Sequence, residues 1–458
     1  MVLQRDEPVP ISGRGVPGHA VTVRFAGQVK KTVVGNEGRW AVTLDPVSSR
    51  SESGSLKINH VVLNDILVGD VWLCSGQSNM EWTIRRSLNP QEEAEQADYD
   101  RIRHFNIPRL FKPELQNDAA GEWKVCSSDT VMDFTAVGYF FARRLHRELE
   151  IPIGLINSTW GGTRIEPWIP AEAFASHPRL RHLAGEARNP KPINREAKRA
   201  HQKPSLLYNA MIHPLVDFPI KGAIWYQGES NGGGEEEALA YLPKMQALVS
   251  GWRQAWNVGA FPFYFCQLAN FKERIDDPAG GNGYALIREA QRRSLAIPHT
   301  GMATLIDIGE AEDIHPKNKQ DVGHRLAQWA LARTYGKDLV PSGPLFERME
   351  VSGNRVRIFF RHVGSGLMAG EKAVHQPYLP VEEVEGGVIH EVALAGKNGV
   401  WSWADARIEG KSVVAIAQEV DQPVAVRYAY QMNPAKANLY NKEGLPASPF
   451  TAELDDIR

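Results

Sequence analysis

Five apolar runs, each closed by a polar or glycine-rich exit, restrict the possible folds more than any other feature of the chain. They are ILVGDVWLC (66–74), IPIGLINS (151–158), IKGAIWYQ (220–227), FPFYFCQLA (261–269) and GMATLIDI (301–308). Helical periods lie between them. Val137, Phe140, Phe141, Leu145 and Leu149 share one face; Val322, Leu326, Trp329 and Ala330 share another, which stops near Gly336. Near-continuous apolar strands alternating with amphipathic helices predict an α/β fold, a parallel sheet covered on both faces.

The flanks read differently. VTVRF (21–25), KTVVG (31–35), RWAVTL (39–44) and SLKINHVVL (55–63) are strand-like and separated by turns. After about 340 the helical periods vanish, and RVRIFF (355–360), VIHEVALA (388–395), SVVAIA (412–417) and VAVRYAY (424–430) read as strands. The 458 residues have room for about two to three domains. We expect a β domain over 1–66, an α/β domain over 67–340 and a β-rich domain over 341–458, the last free to pack with the first.

Composition narrows the function classes. A 43% hydrophobic, 23% charged chain of formal charge -2 gives no electrostatic reason to bind nucleic acid or anionic membrane. The basic stretch 188–203, RNPKPINREAKRAHQK, reads as a solvated loop. No apolar run is long enough to span a bilayer, and the opening MVLQRDEPVP lacks the charged-then-apolar pattern of a signal peptide. Cys74, Cys126 and Cys266 are widely spaced, and the fourteen histidines include no HExxH pair. No metal or other cofactor is expected. The sequence leaves the oligomeric state open.

In open parallel sheets, ligands sit outside the carboxyl ends of the strands. The residues following four of the runs, GQSNM, STWGGTRIEPW, QGESN and GEAEDIHPKNK, should therefore converge on one edge. Ser78 stands at the first exit, with Gly76 available for a tight turn; Cys74 and Ser75 belong to the strand. A serine hydroxyl needs an adjacent base, and His315, at the last exit and held by Pro316, is the best candidate. Glu312 and Asp313 both lie near enough to orient its imidazole. This is not the GxSxG elbow, because position 80 is Met. Gly161 and Gly162 offer unobstructed backbone N–H groups, and Gln227 a side-chain amide, for a developing oxyanion. Glu229 reads as a buried structural partner. Trp160, Trp168 and Trp225 suit sugar stacking or core packing equally.

GQSNM, NSTWGGTRIEPW, WYQGESN, REAQ (288–291) and DIHPKNK occur in this order, between the opening MVLQRDEPVP and the closing NLYNKEGLPASPF. Together they resemble the sialate O-acetylesterase family of SGNH-type serine hydrolases over nearly the whole chain. The resemblance implies an SGNH-like three-layer α/β/α domain flanked by β regions. It also implies a metal-free carbohydrate O-acetylesterase acting through an acyl-enzyme. Ser78 then matches the nucleophile and His315 the base. Gly161 or Gly162, Gln227 and the Ser78 N–H match the oxyanion donors. The wider SGNH pattern places the acid three residues before the histidine, which is Glu312 here; the family's DIHP assigns Asp313, with Glu312 as the alternative.

A sialic acid substrate would favour a cation for its carboxylate, with Arg86, Arg164 and Arg288 as candidates and Trp160 as a stacking face. Acetylated xylan, or broad acetyl specificity, would not. A non-catalytic carbohydrate-binding protein on the same scaffold would bind sugar without releasing acetate. In relatives a signal peptide and a short strand usually precede MVLQRD, so the resemblance implies a periplasmic or secreted full-length form, with this start truncated or mature.

Overall fold

The computed structural model describes residues 1–190, 199–281 and 283–454, so part of the basic stretch 188–203 lies outside the described residues. Seven strands form the central sheet: β1 (Val61–Gly76), β2 (Tyr99–Asn106), β3 (Trp123–Cys126), β4 (Ile153–Thr159), β5 (Gly222–Tyr226), β6 (Phe263–Cys266) and β7 (Thr300–Ala303). Their spatial order is β7-β6-β5-β1-β4-β2-β3, parallel throughout except for the antiparallel edge strand β3. Both faces are covered, and adjacent residues of β6 make the point: successive side chains of a strand face opposite ways. Phe263 meets Trp252 of the helix Tyr241–Trp256, whereas Tyr264 meets Trp329 of the helix Lys319–Trp329. This is the α/β architecture expected from the sequence.

β1 extends beyond its apolar run. It is 16 residues long, and only its first five residues are exposed. That half pairs antiparallel with Arg50–Ile58, while Val2–Gln4 runs parallel beside Leu67–Gly69. The composition shift near residue 66 thus marks a change of burial inside one strand, not a break between elements. One expected strand is a hairpin instead, and another is split between two sheets. SLKINHVVL turns at Asn59, whose φ is +50° and whose side chain bonds Thr22 N and Ala20 O. VIHEVALA is interrupted at Glu391, with φ +59°.

Buried apolar residues fall into three clusters, a large one in the α/β region and one in each β region. The two β clusters share no buried member. No helix among the described residues is long and apolar enough to cross a membrane.

The sheet register is what positions the site. Thr159 and Tyr226 are both paired with Gly76, so three strands end level. Gly76 has φ +128°, and a Cβ there would lie 2.2 Å from the Tyr226 carbonyl oxygen. Only glycine fits, and the chain turns sharply at the sheet edge immediately before Ser78.

Candidate active site

Ser78 opens a single helical turn, α1 (Ser78–Glu81), directly after that glycine turn. Its Oγ lies 2.9 Å from His315 Nε2, across 237 positions of sequence. His315 belongs to the irregular segment between β7 and Lys319–Trp329. The apolar run 301–308 becomes strand only at its start.

Asp313 Oδ1 lies 3.6 Å from His315 Nδ1 and accepts the His315 backbone N–H at 2.9 Å. The first distance is an ion-pair contact rather than a formed hydrogen bond. Glu312 is exposed, and no contact joins it to His315 among the described residues.

Trp82 stacks on the imidazole with centroids 4.5 Å apart and planes at 15°. The imidazole is half-buried. Burial holds its pKa below the ordinary value, the Lys319 and Arg86 charges add to the depression, and Asp313 opposes it. A neutral, proton-accepting ring is therefore favoured.

The glycines differ. A Cβ on Gly161 would lie 3.2 Å from the Ser78 Cβ, which places this residue beside the serine. Its N–H donates to Glu81 Oε2 at 3.0 Å, and Glu81 Oε1 accepts from Arg109 Nε at 2.8 Å. Gly162 has φ +72° and open space around it, and its carbonyl accepts from Gln202.

Gln227 does not fit the role expected for it. It is fully buried, and its amide nitrogen faces Gln77 Oε1, Thr163 O and Asn231 Oδ1 at 2.9–3.1 Å. Three acceptors compete for two N–H bonds, which leaves none for a substrate. The amide instead holds the side chain that precedes Ser78.

Arg288 also departs from expectation. It is wholly buried and donates to the carbonyls of Leu268, Ala269, Gln431 and Met432. It ties the α/β region to the C-terminal β region and is closed off from solvent. Burial pushes its pKa down to about 9. Arg288→Ala would leave buried carbonyls without donors and is expected to cost about 3 kcal/mol or more. Urea unfolding of the whole chain should show it as a lowered midpoint.

Of the other expected arginines, Arg164 is paired with Glu237 at 2.9 Å. Arg86 is exposed and lies over the Trp82 ring at 5.2 Å. Trp160 stacks on His201 at 4.5 Å with Arg109 5.9 Å from its centroid, so part of its surface is covered by protein. Trp168 and Trp225 are core residues.

Four residues close to the pair escaped the sequence reading: Asn79, Glu81, Trp82 and Lys319. Three of them follow Ser78 at +1, +3 and +4, where a one-turn helix returns side chains to the site; the fourth closes the DIHPKNK stretch. No group of three or more His, Cys, Asp and Glu side chains could hold a metal ion among the described residues.

Residues 68–332 match the family described as carbohydrate esterase, sialic acid-specific acetylesterase. Human sialate O-acetylesterase is 31% identical over an alignment covering 100% of this chain and 91% of its own length. The Mus musculus sialate O-acetylesterase is 29% identical, covering 99% and 93%. A crystal structure of a carbohydrate acetylesterase from Xanthomonas citri superposes with a TM-score of 0.87 at 37% identity. It covers 99% of this chain and 97% of that one.

Proposed function

The chain belongs to the carbohydrate esterase family of sialic acid-specific acetylesterases, and from that premise we propose that it deacetylates O-acetylated sugars through Ser78. Membership makes it an esterase, a hydrolase that acts on carbohydrate esters. One observation carries the finer reading: a serine hydroxyl 2.9 Å from a half-buried, neutral-leaning imidazole, at the level ends of three strands.

In the proposed reaction Ser78 Oγ attacks the acetyl carbonyl carbon while His315 Nε2 takes its proton. The tetrahedral oxyanion is held by the Ser78 N–H and a glycine N–H. Collapse breaks the bond to the sugar oxygen, which receives the proton from His315. Water, deprotonated by His315, then attacks the acetyl-enzyme, and acetate leaves as Ser78 regains its proton. Asp313 stabilises the imidazolium in both halves. The Gly161 N–H becomes available only when Glu81 moves off it.

The sugar is proposed to be O-acetylated sialic acid, the substrate named for the mammalian relatives. A second reading, acetyl xylan or broad acetyl specificity, draws support from the arginines. Arg288 is buried and Arg164 paired, so Arg86 alone of the three is left exposed without an acidic partner among the described residues. Acetate release from O-acetylated sialic acid and from acetylated xylan, measured side by side, decides between them. Turnover of the xylan alone removes sialic acid as the substrate, and turnover of neither removes the proposed reaction.

The depressed pKa of His315 carries a pH expectation. The base works when unprotonated, so lowering its pKa extends activity to lower pH. The kcat/KM profile should stay level through neutrality and fall only below about pH 6.5, the ordinary imidazole value. An acid limb above that value would contradict this environment for His315.

A further inference from the structure

Beneath the serine–histidine pair lies a buried cluster that the proposed reaction does not use. Asn79 follows Ser78, and its amide is held from three sides. Its Nδ2 donates to Glu229 Oε1 at 2.5 Å and to the carbonyl of Ile314 at 3.0 Å, while its Oδ1 accepts from Lys319 Nζ. Ile314 immediately precedes His315. One side chain therefore joins the residue after the serine to the residue before the histidine, between segments 235 positions apart.

The amide can face either way, and its neighbours decide. An ammonium only donates and a carboxylate only accepts, so Lys319 and Glu229 together select the orientation in which Nδ2 faces Ile314. Lys319 and Asn79 are almost wholly buried, and the second oxygen of Glu229 is buried with no hydrogen-bond partner among the described residues. Burying charged groups this deeply disfavours the folded state unless they are well paired. An apolar filling would serve stability alone at least as well. The lysine also lies 5.9 Å from the centroid of Trp82, the ring stacked on His315.

We propose that Asn79 and Lys319 are positioning residues: Asn79 sets the separation of the serine and histidine segments, and Lys319 orients that amide and places a buried cation beside the Trp82 ring that stacks on His315. The inference rests on the Ser78–His315 reading. The charged groups acting on His315 are Lys319 at the start of its helix, Arg86 after α1 and Asp313 on its own loop, the last bridged at 3.7 Å by Lys317. The titratable groups around Lys319 are Glu229 beyond β5, Cys266 at the end of β6, whose thiol burial keeps protonated, and Glu310 and Asp313 in the loop before it. Burial pushes the Lys319 pKa down to about 7, so its charge is largely present on the acid side, where His315 titrates.

The test uses the full chain and 4-nitrophenyl acetate. Asn79→Ala should lower kcat roughly 10- to 100-fold with KM little changed, the loss expected when reacting groups are misplaced by about 1 Å. Lys319→Met should lower kcat similarly and also raise the pH of the acid limb by roughly half to one unit, because a cation near the imidazole is gone. Lys319→Gln keeps a donor toward Asn79 without the charge. It should move the limb alike while sparing kcat to within about threefold.

Titration of the His315 imidazole by NMR in the wild type and in both Lys319 variants reads the same shift without turnover. It separates failure of this inference from failure of the esterase reading, and Lys319→Gln supplies the reading if Lys319→Met does not fold. Folded Lys319 variants with an unmoved titration overturn the role of the lysine. Wild-type kcat in Asn79→Ala overturns that of the asparagine.

Discussion

Replacing Ser78 with alanine should remove essentially all turnover, a fall in kcat of about 10⁵- to 10⁶-fold on an activated acetate ester. Serine hydrolases that lose the nucleophile retain only what the oxyanion donors and binding supply, and losses near 10⁶ are typical. The fold should survive the change. Ser78 Oγ makes one described side-chain contact, to His315, and the turn depends on Gly76 rather than on the hydroxyl. Mass spectrometry supplies a second reading: rapid mixing with the ester should add one acetyl group to the wild type and none to Ser78→Ala. Hydrolysis by the variant at more than a hundredth of the wild-type rate would rule out Ser78 as nucleophile. Ser75 cannot replace it, because it is fully buried and donates to the Ser158 carbonyl at 2.7 Å. Burial likewise raises the Cys74 thiol pKa far above its usual range and leaves it inert.

The second large effect concerns the acid. Asp313→Asn is expected to lower kcat by about 10²- to 10⁴-fold, while Glu312→Gln changes it less than about threefold. The upper figure belongs to serine hydrolases whose acid is buried and hydrogen-bonded to the imidazole. Asp313 is partly exposed and 3.6 Å from Nδ1, which argues for the lower part of the range. The same carboxylate accepts the His315 backbone N–H, so asparagine can keep the loop in place while removing the charge. That makes kcat a reading of electrostatics rather than of a displaced loop. Equal losses in the two variants, or a greater loss in Glu312→Gln, would transfer the role to Glu312.

The sheet was legible because parallel strands buried on both faces show as unbroken apolar runs. Their exits were legible because a chain leaving such a strand at a ligand edge changes abruptly to glycine and polar residues. The limits of those elements were less so. Leu305, Ile306 and Ile308 are buried, yet they follow the last strand as irregular chain. A packed loop and a packed strand demand the same residue types.

Arg288 and Gln227 show the corresponding blindness to direction. Sequence gives a guanidinium its charge and an amide its donors, but not whether these face a substrate or four carbonyls in the interior. Asn79 and Lys319 were hidden differently. Each looks like an ordinary polar residue within a motif, and only the third dimension joins positions 79, 229, 314 and 319.

Glu81 gives the resting site a tethered competitor. Its carboxylate stands on the Gly161 N–H and is steadied by Arg109, so it occupies a donor proposed to serve the oxyanion. A neutral ester carbonyl is a poorer acceptor than a carboxylate and displaces it weakly; the tetrahedral anion is a closer match. The donor is thereby reserved for charge that exists only as the reaction proceeds. Acetate, once released, carries the same group as Glu81 but without its attachment. A side chain fixed three residues from Ser78 acts at the high effective concentration of an intramolecular ligand. In the proposed reaction Glu81 would thus favour product departure, and millimolar acetate in the surroundings should slow turnover little.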